Sequence, residues 1–141
     1  MDATDFPLPD LAYQPLKPFW AAAAESRLVF PRCANCARFV WYPRPKCPEC
    51  GGEHFDWTQV SGKARLFSWT AVQRALHPPL KPIAPYAPVI VEFDEAPGVR
   101  LVSRWIGSDP SALVIGQDVR IVFEDLGHPA LETGIRAPMI I

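Results

Sequence analysis

The sequence predicts a mainly β chain: a short N-terminal helix, a four-cysteine ribbon, and then a five-stranded Greek-key barrel of the OB-fold type. Three observations predict it. An alanine-rich apolar stretch stands near the start. All four cysteines, Cys33, Cys36, Cys47 and Cys50, fall in two matched C-x2-C pairs. Beyond Phe55, short runs rich in β-branched and aromatic residues alternate with turn residues. The chain of 141 residues is 49% hydrophobic and 21% charged, enough apolar content to bury a core.

The helix is expected over residues 16–26. Pro18 is tolerated in a first turn, and the run Ala21 to Ala24 has the best intrinsic propensity. Phe19, Trp20 and Ala23 can share one apolar stripe, which packs on the chain's own domain or on a partner. Residues before Pro15 are broken by proline and read as extended.

The cysteine pairs predict a rubredoxin-like zinc ribbon over residues 28–54. A C-x2-C loop lets two sulfurs reach one ion while backbone N–H groups bond the thiolates, and two such loops complete a tetrahedron. The ten residues between the pairs, 37–46, suffice for a short hairpin. Gly51, just after the second pair, can take positive φ and turn the chain under the metal. Ala37 holds the same place after the first pair, where a left-handed conformation costs about 1 kcal/mol. A two-disulfide framework would need secretion, and the first residues carry no basic n-region or apolar h-region. A redox C-x2-C would stand alone at a strand-to-helix junction. Iron takes the same four ligands and stays open. A catalytic zinc would keep an open position, which four cysteines close, so the metal is a structural staple. His54 reads as a solvated loop residue.

The barrel is expected over residues 55–141, after an N-terminal segment at 1–27. Its strands are read at 63–73, 88–94, 98–106, around Val119, Ile121 and Phe123, and within 131–137. Val89, Val91 and Phe93 face one side of the second strand, Glu92 and Asp94 the other. Glu95-Ala96-Pro97-Gly98 makes the second and third strands a hairpin, and residues 110–114 form a helical turn before the fourth. That turn points to an OB barrel, although periodicity alone also permits an SH3-like barrel or a short sandwich. Pro78, Pro79, Pro82, Pro85 and Pro88 stiffen the loop between strands one and two, as a rigid connector or as a surface for another protein. The apolar end, residues 137–141, suits either an interface or a final strand tucked on the barrel.

Charge bounds the function. The formal net charge is -1 with neutral thiols. Four thiolates and one zinc dication bring it to about -3, which favours neither nucleic acid nor an anionic membrane. No run of residues is long and apolar enough for a membrane helix, and the expected compartment is the cytoplasm. No G-x-S-x-G or H-E-x-x-H is present, and His54, His77 and His128 are scattered. Asp94-Glu95 and Glu124-Asp125 are neighbours on strands and point to opposite faces, so neither is a convergent pair. No catalytic constellation emerges. Between Ser26 and Pro48 there is no acid, and Arg27, Arg32, Arg38, Arg44 and Lys46 alternate with Phe39, Trp41 and Tyr42. These cations either compensate a net-negative thiolate centre or form a phosphate-binding face, for which Arg38, Arg44 and Lys46 are the candidates.

The motifs are specific. Pro18-Phe19-Trp20, the run from Ser26 to Cys33, the run from Tyr42 to Gly51, the run from Pro85 to Glu95 and Ile115-Gly116-Gln117-Asp118-Val119 together resemble the zinc-ribbon OB-fold accessory proteins associated with thiolases and other acyl-CoA enzymes, formerly a domain of unknown function. The similarity runs from about Leu16 to the C-terminus, with Ala37 in place of the usual glycine and Gln117-Asp118 in place of a more apolar pair. The resemblance implies a non-catalytic subunit bound to a thiolase-like, ketoacyl-synthase-like or hydratase-like partner, and help in binding acyl-CoA. The competing expectation is a nucleic-acid-binding module, since zinc ribbons and OB barrels both serve that role. Oligonucleotide binding that weakens steeply with salt would favour the latter.

Overall fold

In the computed structural model, residues 8–127, 134 and 136–141 are described. Helix α1 spans Lys17–Ala24 after a 3-10 turn at Gln14–Leu16, with Pro18 in its first turn. It stops at Ser26, whose φ of 58° is left-handed. Ser26 N–H donates to Ala23 O, and Arg27 N–H to Ala22 O, both at 2.9 Å, a Schellman closure. The expected stripe is confirmed for Phe19 and Ala23, which are buried with Ala22, while Trp20 is half-buried.

Strands β1 (Leu28–Cys33) and β2 (Phe55–Val60) form a two-stranded antiparallel sheet, from Leu28↔Val60 to Cys33↔Phe55. The cysteine loops hang from one end of this ribbon. Strand β3 (Lys63–Trp69) then opens the barrel, followed by β4 (Ala87–Glu92), β5 (Arg100–Trp105), β6 (Asp118–Asp125) and β7 (Arg136–Ile140). The barrel closes in the order β3-β4-β5-β7-β6, and β6 returns to β3 through Lys63↔Arg120 and Ala64↔Val119. This is the five-stranded OB arrangement that the strand spacing predicts.

Most strand expectations hold within a few residues. β4 and β5 form the hairpin, from Glu92↔Arg100 to Ala87↔Trp105. Val89, Val91 and Phe93 face inward and are buried. The helical turn before β6 is a short 3-10 turn, Pro110–Ala112, capped by Asp109, whose carboxylate accepts from Ser111 N–H at 2.9 Å. The same hydrogen bond holds the Asp109 carboxyl below the usual range. Two expectations need correction. The first barrel strand ends at Trp69, because the chain beyond it keeps only the Thr70 N–H bond to Pro88 O and the bridge Val72↔Tyr86. The last strand, expected within 131–137, runs Arg136–Ile140; residues 131–133 and 135 lie outside the described residues. The apolar end therefore belongs to the barrel, because Ile140 is fully buried and pairs with Ile121.

The core is continuous across these parts. Phe30 of β1 and Phe19 of α1 join Leu66, Val89, Val91, Val99 and Ile140 in one cluster. Phe30 has no exposed surface and lies 5.1 Å from both the Trp41 and Phe93 rings. The ribbon thus plugs into the barrel through Phe30. A second, small cluster of Cys33, Val40 and Cys47 lies at the cysteine loops.

Candidate metal centre and adjoining clefts

The two cysteine loops are built alike. In the first, Ala37 N–H donates to Cys33 O at 2.9 Å, and Cys33 N–H to Arg38 O at 2.8 Å. In the second, Gly51 N–H donates to Cys47 O at 2.9 Å, and Cys47 N–H to Gly52 O at 2.8 Å. Each loop requires one left-handed residue at the same place, Ala37 with φ 65° and Gly51 with φ 76°. The alanine is strained as its position predicts. Ala37→Gly is expected to stabilise the metal-loaded protein by up to about 0.5 kcal/mol, the left-handed penalty of about 1 kcal/mol less the extra entropy of glycine. Thermal unfolding of the two loaded proteins checks this, and a lower midpoint for the glycine variant would refute it.

The four sulfurs lie within 4.8 Å of one another. Cys33 Sγ and Cys50 Sγ are 3.6 Å apart, and Cys36 Sγ and Cys47 Sγ 3.7 Å. Both separations are far beyond a disulfide bond. A tetrahedron with sulfur at about 2.3 Å from a central ion has edges of about 3.8 Å, so these sulfurs fit one four-coordinate metal. Cys33 and Cys47 are buried, and Cys50 is exposed. The Asn35 side-chain amide and the Gly52 N–H lower the Cys50 thiol to about 6. At Cys36 the Arg38 N–H acts downward, but desolvation and the Cys47, Cys50 and Cys33 thiols outweigh it and push that thiol up to about 11. The cluster cannot ionise fully unless a cation shares its charge.

Sequence reasoning missed two supports of the centre, Asn35 and Gly52. A Cβ at Gly52 would lie 3.1 Å from Cys33 Sγ and 3.3 Å from Cys50 Sγ. A side chain there would crowd the sulfurs by a few tenths of an ångström. The doubled Gly51-Gly52 was the available signal.

The basic residues disperse. Arg32 donates to Ala37 O at 2.8 Å and lies over the Phe39 ring. Arg27 pairs with Glu25 at 2.9 Å, Arg38 with Glu49 at 3.5 Å, and Lys46 with Glu53 at 3.3 Å. Arg44 is exposed and makes no ion pair among the described residues. Arg38 lines a cleft between the first cysteine loop and the β4–β5 hairpin; Arg44 and Lys46 line none of the four main clefts. His54 is exposed, and its carbonyl accepts from Ala34 N–H. The carboxylates are engaged structurally. Asp94 pairs with Arg65 at 2.6 Å, Glu95 accepts from Ser61 N–H and Oγ, and Asp125 accepts from Gly127 N–H. Gln117 closes a turn by accepting from Val114 N–H at 2.6 Å.

Two apolar clefts adjoin α1 and the barrel. One, of about 590 Å³, reaches from Trp20 to Ile83 of the proline loop and Leu126. The other, of about 370 Å³, lies between α1, Trp41 and strands β5 and β7. Trp20, Arg104, Ala137 and Met139 line both, so the two are neighbours. Leu76, at the head of the proline loop, is 89% exposed.

Residues 20–56 match the family description "ChsH2, rubredoxin-like zinc ribbon domain", and residues 57–124 match "ChsH2, C-terminal OB-fold domain". A "DUF35 domain-containing scaffold protein" of Methanothermobacter thermautotrophicus is 33% identical over 93 residues, which are 65% of this chain and 68% of that protein. This chain belongs to the DUF35 family. A second DUF35 scaffold protein, from Pyrococcus furiosus, is 29% identical over 74% of each chain. A "Probable enoyl-CoA hydratase alpha subunit" of Thermomonospora curvata is 35% identical over 72% of this chain, and the DUF35 chain spans only 31% of that protein. Among solved structures, the "Ltp2-ChsH2(DUF35) aldolase" superposes with a TM-score of 0.74 at 27% identity, covering 95% of this chain and 96% of the other. The DUF35 protein of Sulfolobus solfataricus, at 17% identity and TM-score 0.56, shares the fold. Among the described residues no helix is long and apolar enough to cross a membrane.

Proposed function

We propose that this DUF35 chain is a non-catalytic subunit that binds a hydratase-like, aldolase-like or thiolase-like enzyme and helps hold its acyl-CoA. Cys33, Cys36, Cys47 and Cys50 bind one structural zinc, and the chain divides into an N-terminal segment and helix at 1–27, a zinc ribbon at 28–54 and an OB-fold barrel at 55–141. The observation that carries the reading is the near-complete superposition on the ChsH2 (DUF35) aldolase chain. The relative named as a hydratase subunit supports a partner that works on acyl-CoA. The closed thiol shell supports a non-catalytic role, because it takes the chain's strongest nucleophiles. Arg38, Arg44 and Lys46 are the cations assigned to the CoA phosphates, and Arg44 is the exposed member with no ion pair among the described residues.

The test is co-expression with hydratase-like, aldolase-like and thiolase-like proteins. One of them is expected to co-purify at fixed stoichiometry, with one zinc per chain by elemental analysis. Calorimetry is expected to show CoA binding that Arg44→Ala weakens several-fold. Clean separation from every candidate together with no heat from CoA would overturn the reading. Stoichiometric iron with its visible absorption would overturn the zinc assignment alone.

A further inference from the structure

Three exposed apolar side chains gather at one corner of the barrel. Phe67 of β3 is 37% exposed, and Val114 and Ile115, just before β6, are 63% and 59% exposed. The backbone brings them together. Gln117 N–H donates to Val114 O at 3.1 Å and closes a four-residue turn with Gly116 at its third place. Gly116 has a φ of 88°, as that place in a type II turn requires. Gly116 N–H donates to Leu66 O at 2.8 Å, and Leu66 N–H to Gln117 O at 3.0 Å. These two bonds make a glycine bulge that holds the turn against β3, beside Leu66 and its neighbour Phe67.

The corner is fixed as well as exposed. The β3–β4 register shifts between Leu66 and Ser68, so Phe67 stands at a second bulge, a device that re-aims a side chain. Leu66 and Leu113 beneath it are buried. Val114 N–H donates to Gln117 Oε1 at 2.6 Å, which braces the turn from within. A partner therefore spends little on ordering these side chains. Residues 128–133 and 135 follow the opposite end of β6, whose eight residues span roughly 25 Å.

One cation stands here uncompensated. Arg100 of β5 reaches across β4 and lies over the Phe67 ring at 3.8 Å, with no carboxylate paired to it among the described residues. The acids nearby are engaged. Glu92 and Asp94 pair with Arg65 at 3.8 and 2.6 Å, Asp109 caps the 3-10 turn, and Asp118 lines a cleft with Lys63 and Arg65. A stable dimer needs about 800 Å² and roughly 20–30 residues on each side, far more than this corner offers a second copy. A second copy meeting it would also bring the same lone cation. The complement is an apolar surface that carries a carboxylate.

We propose that this corner is the apolar centre of the face on which the partner enzyme sits. The enzyme covers Val114 and Ile115 with apolar side chains and sets an aspartate or glutamate against Arg100, which stays stacked on Phe67. The inference rests on the proposed role as an enzyme-bound subunit and names the surface that holds the enzyme.

The probe is the enzyme that co-purifies with the chain, titrated with the metal-loaded wild type and variants. Val114→Ser and Ile115→Ser together are expected to weaken binding at least tenfold, with an unchanged unfolding midpoint for the free chain. Arg100→Glu is expected to weaken it at least fivefold. Amide exchange reads the same surface without mutation. Ile115 N–H makes no hydrogen bond among the described residues, and its exchange is expected to slow at least tenfold in the complex. A stable enzyme complex that leaves this amide fast, or that the double variant forms as tightly as wild type, would overturn the assignment and leave the subunit reading standing. Absence of any enzyme complex would overturn both. A free chain that is dimeric, and made monomeric by the double variant, would overturn the enzyme as occupant. Slowing of Ile115 by CoA alone would do the same. Wild-type binding by Arg100→Glu would overturn the carboxylate.

Discussion

Replacing Cys47 with serine is expected to strip the metal from the chain and unfold the cysteine loops. Cys47 is buried in a cluster that otherwise holds only Cys33 and Val40, with Cys36 and Phe55 at its margin. So small a core cannot offset the entropy of ordering the 21 residues, 34–54, that join β1 to β2. Structural zinc contributes on the order of 10–16 kcal/mol in zinc-finger peptides, so losing such a metal is expected to have a large effect. Elemental analysis is expected to show less than a tenth of the wild-type metal, and amides of residues 33–54 should exchange freely. Leu28 and Phe30 should stay protected, because their side chains belong to the barrel core. A serine variant with full metal content and unchanged protection would refute the assignment. Loading the wild type should release protons, since Cys36, pushed up to about 11 without metal, must ionise. Affinity should therefore fall as pH is lowered, with Cys50, at about 6, the last of the shifted thiols to take up a proton.

The second large effect is expected at Phe30. Its side chain has no exposed surface and packs against Trp41 and Phe93. Phe30→Ala removes a ring from the joint between ribbon and barrel, where Trp41 and Phe93 flank the void. The cost is expected at about 3–5 kcal/mol. Urea unfolding of the metal-loaded proteins measures it. A loss below about 1 kcal/mol would show that ribbon and barrel are not one packed unit. Loss of cooperativity, with separate ribbon and barrel transitions, would show that Phe30 couples them.

The cysteine centre was legible because metal chemistry leaves a local trace: two C-x2-C pairs, and a residue after each that must turn the chain. The β4–β5 hairpin was legible because burial on one face enforces the Val89, Val91, Phe93 alternation, and the turn before Gly98 is local. The ion pairs of the basic segment were not legible, because Glu49 and Glu53 follow it in sequence and only the fold of the second loop sets them beside Arg38 and Lys46. Asn35 and Gly52 were missed because their roles depend on where the other loop's sulfurs lie.

By itself the sequence determined the metal-binding ribbon, the helix before it and the barrel class after it, since each rests on residue spacing that short-range geometry must obey. Only the tertiary structure decided that Phe30 belongs to the barrel core, that the apolar end is a barrel strand, and that β5 and β7 close the barrel, among the described residues, at a single register pair. Those outcomes depend on pairings between segments far apart in the chain. At that closure the decisive contact joins Trp105 to Ile140.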